Sequence, residues 1–320
     1  MRIGVRANLL IVPADRERTL RLAKELGVQW LGVQVAWQDF QGDPQREVDW
    51  RFLDEAVHEA SSQGFKLMLS VTKAPTWARG AGRPVAYGNF VAALLSRYKG
   101  QVQAIEVENE PNLATEWGGR CDPVAYVAVL QEAYRRIKAI DPAVVVISAG
   151  LTPTGVNNGN TALDDVGFLS QVKAAGGLQF CDAVGVHASG FNNPPEAQPN
   201  SRCAENPRFG CHASFYILRY RELQAVAGGK PLWVTECGYA STRDPQPGYE
   251  YARDNREDAL GDYLAATLKL MRADGVGACF WWNLNSAPLA PGSEQAAFGL
   301  LDQNWSPRAH YHRLKGELGV

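Results

Sequence analysis

The chain has 320 residues, 46% hydrophobic and 21% charged, and its 32 basic and 34 acidic side chains leave a formal net charge of −2 at pH 7. That composition excludes an intrinsically disordered chain, and without any run of Lys or Arg it offers no basic field to a nucleic acid or an anionic membrane surface. No stretch reaches the roughly 20 apolar residues that cross a bilayer, and the opening MRIGVRAN lacks the apolar segment of a secretory signal.

In chain order, strand-like apolar runs stand near residues 2–7, 30–35, 66–71, 103–108, 143–149, 182–187, 231–235 and 276–282, each rich in Val, Ile, Leu or aromatic residues. Helical periods lie between them. Tyr126, Leu130, Ala133 and Ile137 recur at helical spacing, as do Leu260, Leu264, Leu268 and Met271, so each set forms one apolar helix face. The helix-to-strand joins are short and carry a glycine suited to a helix C-cap in ELGVQW, SQGFKL, RYKGQV, AGGLQF, VAGGKP and ADGVGA, whereas AIDPAV uses Asp-Pro. The strand-to-helix joins are long, the largest spanning residues 150–162, 188–212, 237–253 and 283–305. Spare length at one end of eight β/α repeats predicts an α/β fold of the (β/α)8 TIM-barrel class, in one domain over residues 1–320 with elaborated strand-to-helix loops. A doubly wound open sheet is the rival arrangement, but no GxGxxG or GxxxxGK[ST] loop follows any strand, so a dinucleotide or ATP has no cradle.

The working face of such a barrel is the C-terminal end of its strands. The fourth strand ends IEVENEPN, placing Glu110 after Asn109, and the seventh ends PLWVTECGY, where Leu232, Val234 and Glu236 share one face. Strands four and seven are not neighbours in an eight-stranded barrel, so two carboxylates 126 positions apart could meet over one substrate. Glycosidic cleavage needs such a pair, one acid to protonate the leaving oxygen and one carboxylate to attack or to activate water.

With these residues the chain resembles the clan A glycoside hydrolases, most closely family 39 and related bacterial proteins. The resemblance covers nearly the whole chain and rests on Asn109 and Glu110, on Glu236, and on the segments SVTKAPTWA, VGVHASGFNNPP and FWWNLN. It implies that Glu110 is the general acid/base, that Glu236 is the nucleophile of a retaining double displacement, and that Asn109 bonds the sugar 2-hydroxyl. There are two departures. Glu108 stands where family members usually have an aromatic or apolar residue, which makes it a surface or supporting group. His187 is followed by Ala188 and Ser189, not by the Tyr that holds the nucleophile in many members, so another residue must orient Glu236 or none does.

Other residues have plainer readings. Glu106 shares the parity of Glu108 and Glu110 and reads as an interior carboxylate paired with Arg6. His310 and His312 fall on different helix faces, so no metal is expected, and Cys237 reads as packing. Cys203 and Cys211 lie eight positions apart in a Pro/Asn-rich loop, and a disulfide there would favour a secreted or periplasmic location. Sugar sites combine aromatic platforms with short polar groups, and Trp37, Trp77, Trp117, Phe191, Tyr239, Trp281 and Trp282 fall at or beyond strand ends. Of the last two only one can point inward, and Trp282 is the expected one. Lys73, Asn109, His187 and Asn283 are the expected polar partners. The reading is a retaining β-glycoside hydrolase without metal or organic cofactor, acting on a β-linked saccharide or glycoside. A non-catalytic carbohydrate-binding barrel and a transglycosylase are its rivals.

Overall fold

A computed structural model describes residues 1–199 and 212–320, so the Cys203–Cys211 pair lies outside the described residues. The strands are β1 Arg2–Arg6, β2 Trp30–Ala36, β3 Lys66–Thr72, β4 Val102–Val107, β5 Val145–Ser148, β6 Val184–Ser189, β7 Leu232–Gly238 and β8 Ala278–Trp281. One helix of seven residues or more follows each strand: α1 Arg16–Leu26, α2 Arg51–Ser62, α3 Arg83–Arg97, α4 Pro123–Ile140, α5 Asp165–Ala174, α6 Tyr220–Val226, α7 Leu260–Ala273 and α8 Ala309–Glu317. Among the described residues, no helix is long and apolar enough to cross a membrane.

The strands form one sheet in the order β5-β4-β3-β2-β1-β8-β7-β6. Sequence neighbours are spatial neighbours and β1 lies beside β8, while parallel bridges Ile147 to Ala183 and Leu151 to Val186 join β5 to β6. This cyclic parallel order is the (β/α)8 fold. The helix-to-strand glycines behave as their position requires, since Gly27, Gly64, Gly100, Gly176, Gly228 and Gly275 all have positive φ, which costs glycine nothing. The α4 N-terminus is set by Asp122, whose carboxylate accepts from the amides of Val124 and Ala125, followed by Pro123 in the first turn. The predicted apolar faces of α4 and α7 are all buried.

Contacts group the chain into two compact units. One comprises Met1–Leu31, His187–Arg221 and Val234–Val320. In it β1 pairs with β8 from Arg2–Ala278 to Val5–Trp281. Gly4 is required here, because a Cβ would come 2.6 Å from the Phe280 ring, which packs edge-on to Trp30. The Tyr311 hydroxyl of α8 donates to the Leu22 carbonyl of α1 at 3.1 Å.

The other unit comprises Gly32–Val186 and Glu222–Trp233. Here β3, β4 and β5 pair in parallel, with Ser70, Glu106 and Ile147 in one row. Two tyrosines tie helices to strand ends. Tyr87 of α3 donates to the Val71 carbonyl at 2.8 Å, and Tyr126 of α4 accepts from the Ala149 amide at 2.7 Å. Trp37 stacks on Phe90 at 5.0 Å and meets Trp77 and Tyr87 edge-on, forming an aromatic core over α3.

Candidate active site

In the second unit, β4 stops at Val107, one residue earlier than the pattern predicts, and the chain turns sharply over the next three residues. Glu108 has φ +69° and Glu110 φ +44°, a region that side chains other than glycine rarely adopt. Hydrogen bonds hold the turn. The Glu108 amide donates to Val71 O and to the Tyr87 hydroxyl, both at 3.0 Å, and the Glu110 amide donates to Gly150 O at 3.0 Å. The turn leaves Glu110 half-buried and Asn109 buried, with an Asn109 Oδ1 that has no hydrogen-bond partner among the described residues.

Glu108 proves to be buried rather than a surface group. One of its carboxylate oxygens accepts from Arg83 Nη2 at 2.6 Å and Nε at 3.2 Å. Burial pushes its carboxyl upward from the usual range, and the Arg83 charge opposes that shift. Glu106 is fully buried and accepts from the Ser70 hydroxyl and the Gly150 amide, the role of an interior carboxylate.

Two expected platforms in this unit fail. Trp37 is 0% exposed, with its ring inside the aromatic core. Trp117 is buried because the Arg83 guanidinium lies 3.7 Å over its ring, so that face is taken. Trp77 stays half-buried, its Nε1 donating to Gln41 O at 3.0 Å. Lys73, just past β3, is exposed with φ +52°.

In the first unit, β7 runs to Gly238, three residues beyond its predicted end, so Glu236 lies within the last turn of the strand pleat. Its carboxylate is 16% exposed. Arg6 Nη2 stands 3.3 Å from Oε1, and His187 Nδ1 stands 3.7 Å from Oε2. Both partners are buried. The charged groups beside Glu236 therefore include Arg6, which the sequence reading assigns to Glu106.

Trp282 is partly buried, its ring 6.0 Å from the Arg6 guanidinium carbon and packed with Phe191 on a cluster of Ala240, Tyr251, Ala252, Ala297 and Phe298. Trp281 is buried and faces His310 of α8 at 6.5 Å, so of the two rings Trp282 is the one with an open side. Asn283 is fully buried, and its Nδ2 donates to Gln295 O at 2.9 Å, a loop-holding role, although its Oδ1 has no partner. Tyr239 does not form a platform. Its ring is 1% exposed, tilted at 56° against Tyr263 at 4.9 Å and pressed under Gly190. Cys237 is buried beside Cys279, and burial pushes its thiol well above the ordinary value, as for a small packing residue. His310 is buried and His312 exposed, so they form no common metal site.

The chain matches no protein-family model and no curated protein sequence. Solved structures do match. A family 39 glycoside hydrolase from Bacteroides cellulosilyticus WH2 superimposes with TM-score 0.73 at 21% identity over 99% of this chain and 63% of that one. A family 5 subfamily 18 protein from Streptomyces cattleya, in complex with GlcNAc, gives 0.69 at 15% over 99% and 79%. The endo-1,4-β-D-mannanase from Thermotoga petrophila RKU-1 gives 0.60 at 16% over 99% of both chains. The chain spans about three fifths of the length of several such structures, including an exo-β-1,4-mannosidase from Opitutaceae bacterium strain TAV5 at 59%. At these identities the likeness establishes architecture alone: the chain has the (β/α)8 fold that these solved structures share.

Proposed function

We propose that the protein is a retaining β-glycoside hydrolase in which Glu236 is the nucleophile and Glu110 the general acid/base, with no metal or organic cofactor. The observation that carries this is the setting of Glu236, a carboxylate near the end of β7 that reaches solvent and forms an ion pair, at 3.3 Å, with the buried Arg6. A guanidinium fixes a carboxylate's orientation without blocking its free lone pairs, as attack on an anomeric carbon requires. Glu110 sits half-buried in the strained turn after β4, beside the buried Asn109, a placement that suits a group exchanging a proton with substrate and water.

In the first step Glu236 bonds to the anomeric carbon as the glycosidic C–O bond breaks, and Glu110 gives its proton to the departing oxygen. In the second, Glu110 takes a proton from water, the water oxygen bonds to the anomeric carbon, and the bond to Glu236 breaks. Two inversions give net retention. Asn109 offers an unpaired acceptor to a sugar hydroxyl, Trp282 offers an apolar ring face, and His187, Lys73 and Trp77 are further candidate contacts. The names of similar structures, which include an exo-β-1,4-mannosidase, an endo-1,4-β-D-mannanase and β-galactosidases, favour a β-linked saccharide or glycoside as substrate.

The test is a panel of nitrophenyl β-glucosides, β-galactosides, β-mannosides and β-xylosides, with product anomers followed by NMR. The expected result is a β product formed first, with most turnover lost in both Glu236→Gln and Glu110→Gln. Azide restores turnover in Glu236→Gly with an α-glycosyl azide product and in Glu110→Ala with a β-glycosyl azide. Wild-type rates in both Gln variants would refute the assignment.

A further inference from the structure

We infer that Arg83 is a positioning residue for Glu110, clamping both ends of the short segment on which that glutamate sits; the inference rests on the acid/base role proposed above. Arg83 opens α3, and each of its three guanidinium nitrogens donates a hydrogen bond. Nη2 and Nε bond the Glu108 carboxylate at 2.6 and 3.2 Å, and Nη1 donates to the Trp117 carbonyl at 2.6 Å. Its flat face lies 3.7 Å over the Trp117 ring. Residues 108 and 117 bracket the turn after β4, so one guanidinium grips the segment where it leaves the strand and where its short helical turn, Ala114–Trp117, ends.

The rest of the segment is anchored from other sides. One turn along α3, Tyr87 accepts from the Glu108 amide at 3.0 Å and donates to Val71 O. Asn112 donates to Thr152 O and Leu163 O and accepts from the Thr152 amide. These anchors matter because φ at Glu108 and Glu110 is unfavourable, and a turn released from its clamp relaxes toward negative φ, carrying the Glu110 carboxyl with it. A lysine cannot replace this arginine. An ammonium is a single point of charge, unable to bond Glu108 and Trp117 in one plane and to cover the indole.

The experiment compares kcat/KM for phenyl and dinitrophenyl β-glycosides of the sugar the wild type turns over fastest, in Arg83→Lys, Glu108→Gln and Glu110→Gln. The phenolate of the first needs a proton to leave, and that of the second does not. Arg83→Lys and Glu108→Gln are expected to lose about 10- to 100-fold on the phenyl substrate and less than about 3-fold on the dinitrophenyl one, the scale of a displaced acid. Near-ultraviolet circular dichroism verifies folding, and if Arg83→Lys does not fold, Glu108→Gln decides alone. Equal loss on both substrates, or no loss on either, overturns the inference. Glu110→Gln is the control: if it too shows no leaving-group dependence, the acid assignment itself has failed and this inference falls with it. Discrimination in Glu110→Gln alone rejects only the clamp.

Discussion

Replacing His310 with leucine should remove most of the acid sensitivity that one residue gives this fold. The imidazole is fully buried against Trp281, its Nδ1 has no hydrogen-bond partner, and Nε2 lies 3.5 Å from Phe298 O. Burial first, and then the nearby Arg308 charge, lower its pKa from 6.5 to about 3. Between those values the unfolded chain binds a proton that the folded chain refuses. Stability from the neutral imidazole is therefore complete above pH 6.5 and is lost as the pH falls toward 3. At about 1.4 kcal/mol per pH unit, the step from pH 7.5 to pH 5 costs about 2 kcal/mol, and the whole window costs about 5. That is a large share of a typical stability of about 5–15 kcal/mol. Urea unfolding of wild type and His310→Leu at pH 7.5, 6 and 5 measures it. The wild type should lose about 2 kcal/mol more than the variant between the extremes. A difference between the two proteins that stays constant with pH would refute the claim that this imidazole is held neutral.

Gly190→Ala would place a Cβ 2.1 Å from the Tyr239 ring, so the backbone or the ring must move; a loss of about 1–3 kcal/mol, read as a lower melting temperature, is expected. Trp37→Ala empties the centre of the α3 aromatic core and should cost about 3–5 kcal/mol by chemical denaturation. Trp282→Ala should cost less stability, because its ring is only partly buried, yet should lower kcat/KM on aryl β-glycosides; the reverse ranking of these two tryptophans would show that the exposed platform has been misassigned.

Much of the fold is legible in the sequence because it rests on local chemistry. Strand positions, the helix faces at Tyr126–Ile137 and Leu260–Met271, and the glycines that follow six of the helices read correctly, since a left-handed C-cap and a periodic apolar face are properties of short segments. The positions of the candidate glutamates near strand ends were legible for a related reason, although the pattern ends β4 one residue late and β7 three residues early. The aromatic residues were not. Trp37, Trp117 and Tyr239 lie beyond strand ends just as Trp282 does, but burial depends on what covers a ring, and the covers come from elsewhere in the chain: Phe90 for Trp37, Arg83 for Trp117, Gly190 and Tyr263 for Tyr239.

The same distinction separates the two arginines from the pattern that contains them. An arginine beside Glu236 or Glu108 is invisible to periodicity, since Arg6 precedes its partner by 230 positions and Arg83 precedes its own by 25. The sequence by itself determined the eight β/α repeats and the strand ends at which a functional side chain could stand. Only the tertiary structure decided which charges meet there and which rings stay open, because ion pairing and burial act between segments that chain order leaves far apart.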